Sequence, residues 1–504
     1  MTQAQRAATF CWIPILIILV LFGSLLAPLI LSMGVCCYDD ASFAVIAKNL
    51  AEGNGYTFSL NYTGPEFSMR PFDPALGTGP SSIIPTAIVI KIFGATPWTP
   101  GFSQLALEII ILAISSAYLI RTCQTHKIIL WLTAFLGLSI LFSGKHNEQW
   151  TAMLGEVPAG LFIIAGVLAW SNTELRPRSL AASGLLFSLA VLTKEMVALY
   201  IVALIPFFLV RLFRSPETSS TKDKITAILF FSAAFAIPII LFEASRFFTL
   251  GPFGFVDNWQ SHLAFIHKQS SSASGATAIF QQTIQRTTLF KEHFFISLMA
   301  VAILSTLALA ATVLGRNESL KRATITLYSG MTIHFVYWLF LSNGSPRYIY
   351  TGVVILCCTI AMPLLGDVKW RYIPTLGIAV LIAMPGLAAQ QASAHTILTT
   401  LESGPRLQGR ADVETSTFIE SNLPDQTLYT SWWAHVASIE YLSRHPGNFQ
   451  GGFEKYLNMG STPKNIIYNE ALAQALNEQS LLQLHEKCGP PIFSSGPYRI
   501  IRCP

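Results

Sequence analysis

Charge is what this chain has least of. Only 27 of its 504 residues are acidic and 32 basic, 12% in all, while 52% are hydrophobic. Soluble globular proteins carry about 25% charged residues, so the composition argues against a wholly water-soluble chain. The basic residues form no stripe and the net charge is only +5, so nucleic acid is not expected as a partner. No internal repeat and no low-complexity segment is visible. Eight cysteines are present, none at zinc-site spacing. Cys11, Cys36, Cys37, Cys123, Cys357 and Cys358 lie in or beside apolar segments and read as small buried apolar residues. The first apolar run lacks a clear small-x-small cleavage site and exceeds the roughly 7–15 apolar residues of a signal peptide.

Long apolar runs are what the chain has in abundance. From Ala7 to Tyr38 no residue is charged. A membrane helix needs roughly 20 such residues, so this run is expected to be an uncleaved first span. Further apolar segments fall at 102–120, 128–142, 154–170, 180–193, 196–210, 225–242, 294–314, 324–341, 349–365 and 373–390. Together they predict about eleven spans. With the N-terminus in the cytoplasm, alternate loops carry Arg121 and Lys127, then Arg176 and Arg178, then Arg211, Arg214, Lys222 and Lys224. Arg316, Lys321 and Arg322 follow, and last Lys369 and Arg371. That frame satisfies the positive-inside rule. It requires Ile83 to Gly94, which is short and holds Pro85 and Lys91, to lie at the membrane surface.

The opposite face then receives a long loop at 36–101, a short loop at 143–151, a tight turn at Lys194 and Glu195, a loop at 244–293, and Ser342 to Tyr348. A tail from residue 391 lies on the same side. The tail mixes helical patterns (413–423, 439–443, 469–485) with strand-like runs (427–433, 498–502), which suggests a small α/β domain. The expected fold is therefore an all-α polytopic membrane domain over 1–390 with a soluble α/β domain over 391–504. Cys488 and Cys503 stand in that tail with fourteen residues and a Gly489-Pro490-Pro491 turn between them. In an oxidising compartment they are expected to form a disulfide, which for such a loop is worth about 3 kcal/mol.

The scarce charges on that outer face are candidates for chemistry. Asp39 and Asp40 follow the first span directly. They are either a solvated helix cap or a base or metal ligand facing a cavity. Glu156 opens the span at 154–170 as a dipole-stabilised end residue or as a second acid. Lys194 and Glu195 are either a plain interfacial turn, or an anion-facing lysine with Glu195 as its partner. Arg347 and Tyr348 are either an aromatic belt with a snorkelling arginine or a phosphate site at a helix start. The first loop adds Arg70 and Gly77-Thr78-Gly79-Pro80-Ser81, which matches neither a P-loop nor a dinucleotide fingerprint. His146, His262, His267 and His293 show no metal-ligand spacing and read as ordinary polar residues.

Taken together, the acidic pair after span one, the helix ending Ile92-Phe93-Gly94, Glu156, Lys194 and Arg347-Tyr348 resemble the GT-C superfamily of membrane glycosyltransferases. Bacterial protein O-mannosyltransferases and lipid A aminoarabinose transferases are the nearest groups. The likeness covers roughly the first 400 residues, and Asp39-Asp40-Ala41-Ser42-Phe43 carries most of it, aligning Asp39 with the family's catalytic aspartate and Glu156 with the acid of the second outer loop. The resemblance implies transfer of a sugar from a polyprenyl-phosphate donor to a protein, lipid or glycan hydroxyl. It would occur on the periplasmic face of a bacterial inner membrane. Asp39, Asp40 and Glu156 would be the catalytic carboxylates. Arg347, Tyr348, Lys194 and Arg70 would hold the donor phosphate. If a metal takes part, Asp39 and Glu156 would bind Mg or Mn. One departure is that Gly77-Thr78-Gly79-Pro80 stands where those groups tend to have a basic residue and two prolines. A multi-span transporter and a non-catalytic envelope glycan assembly factor are the alternatives from other classes.

Overall fold

The computed structural model describes residues 3–35, 37–58, 69–75, 77–143, 146–171, 177–214, 220–269, 276–294, 296–366, 408–424, 426–430, 436–444, 449–451 and 465–503. The first apolar run forms helix α1 (Gln3–Met33). Helix α2 (Tyr38–Glu52) follows, ended by Gly53 in the left-handed region. Helices α3 (Pro80–Phe93), α4 (Thr99–Ile120), α5 (Thr125–Leu141), α6 (Glu156–Ser171), α7 (Pro177–Thr193) and α8 (Ala198–Arg214) come next. Helix α9 (Thr221–Gln269) is broken at Gly251, and α10 (Ala276–Phe294), α11 (Leu298–Val313), α12 (Glu318–Phe340) and α13 (Tyr350–Ala361) follow.

Local chemistry explains several of these boundaries. Asn317 caps α12 by accepting the Ser319 and Leu320 N–H groups at 3.1 Å. Ser297 caps α11 through the Ala300 N–H. At Gly251 the φ of 69° is open to glycine at little cost, and Pro252 then starts a new helical arm. Every residue of α6 is buried, which makes it the centre of the bundle. Gly160 lets α13 close on it at Val354, and Gly184 of α7 meets the Phe231 carbonyl of α9. Small residues permit such close approach in membrane bundles, where packing stands in for the hydrophobic effect.

One sequence expectation changes. The loop expected at 244–293 is mostly helix: the second arm of α9 and all of α10. Its polar residues lower the hydropathy without breaking the helix, so it does not read as a span. About eleven spans were expected, yet among the described residues four helices, or five counting one bent pair, are long and apolar enough by those criteria. Several others, such as α5 and α7, are apolar but of 17 residues. The segment 373–390 and the boundary at 390/391 lie outside the described residues. Helix α3 has a lipid-suited outer face (Ile84, Ile88, Ile92, Phe93) opposite a buried one (Ile83, Ala87, Ile90).

The tail is an α/β unit. Helices α14 (Gln408–Asn422), α15 (Ala437–Leu442) and α16 (Glu470–Lys487) accompany five short strands. A separate hairpin in the first loop pairs β1 (Thr57–Phe58) with β2 (Arg70–Pro71). The tail strands are β3 (Leu428–Thr430), β4 (Phe449–Gly451), β5 (Asn465–Asn469), β6 (Phe493–Ser495) and β7 (Tyr498–Arg502), in the order β4-β3-β5-β7-β6. Strands β4, β3 and β5 are parallel, and β7 runs antiparallel to β5 and β6. Only the β3 and β7 regions were legible beforehand. The helix read at 469–485 begins one residue later, because Asn469 closes β5. Cys488 and Cys503 form the expected disulfide.

Candidate functional site

Four of the scarce charges meet in one place. Asp39 sits in the first turn of α2, and Glu156 is the first residue of α6. Lys194 follows α7 directly, and Arg347 lies in a short 3-10 turn before α13. Gly155, at φ 87°, turns the chain into α6 while packed against Thr193 and Thr78. Thr351 donates to the Glu156 carbonyl at 2.9 Å and ties α13 to α6. The Lys194 Nζ lies 2.9 Å from Glu156 Oε1, and the Arg347 Nε lies 3.2 Å from the same oxygen. Arg347 also donates to Asp39 Oδ2. Its guanidinium thus bridges a fully buried carboxylate and a carboxylate 43% exposed.

That contrast in exposure assigns roles. Glu156 neutralises two cations inside the protein, whereas Asp39 presents its carboxylate to an open space. Burial makes Lys194 easier to deprotonate, and the Glu156 charge opposes that shift. Lys194 also donates to the Leu154 carbonyl at 2.9 Å, which fixes the ammonium. The ring of Tyr348 lies 5.3 Å from the Arg347 guanidinium carbon, a cation–π distance.

Other expected members stand elsewhere. Asp40 is buried and accepts the Met153 N–H at 2.8 Å, so it braces the 152–154 segment rather than joining the cluster. Successive helical residues point about 100° apart, which separates it from Asp39. Arg70 lies on β2 beside Asp73, 3.7 Å away, with half its side chain exposed. Glu195 does not pair with Lys194. Its carboxylate meets His262 Nε2 at 2.5 Å, and the other ring nitrogen lies 2.7 Å from the Pro74 carbonyl.

That pairing leads to a feature the sequence did not reveal. A cavity of about 280 Å³ opens beside Gly77, where an added Cβ would stand 3.6 Å from the Lys194 ammonium. Its walls are the first loop, the α7–α8 turn and α9. Aromatic faces (Tyr56, Phe72, Phe242, Trp259) alternate there with Glu195, Glu243, Arg246 and His262. Asn258 accepts from Arg246 and donates to the Phe72 carbonyl at 2.8 Å. Phe72 has a φ of 50°, a costly conformation for a bulky residue, and this bond helps hold it. The signal available in sequence was the polar set Glu243, Arg246, Asn258 and His262 flanking a Gly-Pro break.

The donor set does not fit a divalent ion as arranged. Asp39 and Glu156 are both engaged by Arg347, and Glu156 also by Lys194. Among the described residues no group of three or more His, Cys, Asp or Glu could hold a metal.

By sequence, no family model and no curated protein matches the chain. By structure, it is similar to ArnT from Cupriavidus metallidurans bound to undecaprenyl phosphate, with a TM-score of 0.56, 14% identity, and coverage of 96% of this chain and 97% of that one. The apo state of the same protein gives a TM-score of 0.56 at 14% identity over 98% of both chains. The chain therefore shares the fold of that protein. Within that fold the carboxylate-bearing starts of α2 and α6, the Lys194 turn and the Arg347 turn come together.

Proposed function

We propose that this protein is a membrane glycosyltransferase that moves a sugar from a polyprenyl-phosphate donor to an acceptor hydroxyl. The observation that carries the reading is the half-exposed Asp39 held beside the buried Glu156–Lys194–Arg347 cluster. An exposed carboxylate next to fixed cations supplies both halves of such a reaction. Asp39 takes the proton of the acceptor hydroxyl while its oxygen bonds to the anomeric carbon. The bond between that carbon and the phosphate oxygen breaks, and the polyprenyl phosphate leaves with the electron pair. Arg347 stabilises the departing phosphate with donors that its two carboxylate contacts leave over, and Lys194 adds positive charge behind it. Undecaprenyl phosphate in the similarly folded ArnT supports a lipid of that class. On this reading Asp39 acts as a base without a divalent ion, because cations already occupy the two carboxylates.

The frame of basic loops supports a periplasmic site in a bacterial inner membrane, with the tail on the same side. Residues 1–390 would form the transferase domain, and 391–504 would stand over its mouth. The test is release of polyprenyl phosphate by purified protein given a lipid-linked sugar extract, with glycans and glycolipids of a deletion strain compared by mass spectrometry. Unchanged glycans together with no release of lipid phosphate would reject the assignment.

A further inference from the structure

Helix α2, which carries Asp39, packs against both α3 and the tail. Phe43, Ala44, Val45 and Ile46 are almost wholly buried, in one apolar cluster with Ile419, Leu428, Ile439 and Tyr498. Polar links reinforce this contact. Lys48 is 3% exposed and donates its ammonium to the Ser443 carbonyl, just beyond α15. Burial lowers its pKa, and the charges of Glu52, Glu440 and Glu420 work against that shift. Two of those three carboxylates belong to the tail. The Tyr441 hydroxyl donates to the Thr96 carbonyl at 3.1 Å, which ties α15 to the α3–α4 connection as well. At the other end of α2, Asp40 holds the Met153 N–H. Asp39 and Lys48 lie on one unbroken helix, roughly two and a half turns apart. A helix so short moves as a rod, so a shift at Lys48 displaces the Asp39 carboxylate.

We propose that the C-terminal tail is part of the transfer apparatus, gripping α2 through Lys48 and Tyr441 and so setting where Asp39 stands. Lys48 and Tyr441 are then positioning residues that touch no substrate. The inference rests on the reading of Asp39 as the base. A misplacement of about 1 Å at a reacting group can cost 100-fold in rate, so the effect is measurable.

The experiment uses the full chain in detergent, with Lys48→Met and the milder Tyr441→Phe. Amide exchange of the 38–52 segment, binding of undecaprenyl phosphate, and sugar transfer from a lipid-linked extract are measured side by side. Exchange across 38–52 should rise about 10-fold in Lys48→Met and less in Tyr441→Phe, as expected for local opening. Transfer should fall roughly 10- to 100-fold, and the lipid phosphate affinity should stay within about 2-fold, because Arg347 and Lys194 sit on other elements. Unchanged exchange in both variants would overturn the proposal. So would wild-type transfer in a variant whose α2 exchanges faster, or parallel loss of lipid binding and transfer, which marks a general structural role. If wild-type protein binds no undecaprenyl phosphate and transfers nothing, the functional reading falls with the transfer arm. The exchange arm still upholds or refutes the grip on α2.

Discussion

Two adjacent carboxylates in this chain do different work. Asp39 faces an open space beside Arg347, and Asp40 is spent on a backbone N–H. Asp39→Asn should therefore lower transfer by roughly 100-fold or more, the range for loss of a general base, with lipid phosphate binding retained. Asp40→Asn keeps an acceptor for Met153 and should change the rate far less, so the two variants measured side by side check the assignment. Arg347→Gln should weaken undecaprenyl phosphate by roughly 10- to 100-fold, since a hydrogen bond to a charged group is worth about 1.5–3 kcal/mol. Glu156 is the structural member of the cluster. Glu156→Gln leaves the buried Lys194 without its counter-charge and Arg347 with Asp39 alone, and should cost about 3–5 kcal/mol. A thermal melt reads that loss, and an unshifted melting temperature would show that the buried pairs do not hold the site together.

At the scale of elements, close approach matters more than propensity. Gly79 opens α3 with its N–H on the Thr193 carbonyl, and a Cβ there would stand 2.2 Å from the Leu192 carbonyl oxygen. Gly79→Ala must push the first loop off α7, where the Lys194 turn begins. It should cost about 1–3 kcal/mol as an overpacked contact, seen as a lowered melting temperature together with slower transfer. Within the tail, α14 carries Asp412, buried among Ser438 and Tyr498, with its pKa raised by burial to about 7. An acid whose folded pKa lies above its unfolded value costs stability once ionised. Tail stability should therefore be full below about pH 4 and fall as pH rises through about 7. Asp412→Asn should flatten that fall, which melting curves at pH 5 and pH 8 would test.

For the molecule as a whole, the proposed frame of basic loops would put the tail outside the cytoplasm. A reporter active only in the cytoplasm, fused at the C-terminus, should be silent, and a bright one would invert the placement of the site. The Cys488–Cys503 bond belongs to the same frame, since such bonds persist in oxidising compartments. Neither thiol should accept an alkylating agent before reduction. Much of the helical fold was legible from sequence because its causes are local. Scarcity of charge sets the solvent, and apolar length sets the helices. Asp39, Glu156, Lys194 and Arg347 stood out for a related reason, since few charges interrupt the ends of apolar helices without a partner or a task. Which of them meet is a different kind of question. Asp39 and Arg347 are 308 residues apart, and no periodicity reaches that far. Glu195 turned to His262 because the second arm of α9 runs past the Lys194 turn, and that arm was too polar to read as part of a span. Asp40 left the site because α2 is rotated to bury its apolar face in the tail. By itself the sequence determined the solvent, the apolar helices and the short list of charged residues. Only the tertiary structure decided which carboxylate faces the opening, because that depends on how distant helices pack against one another.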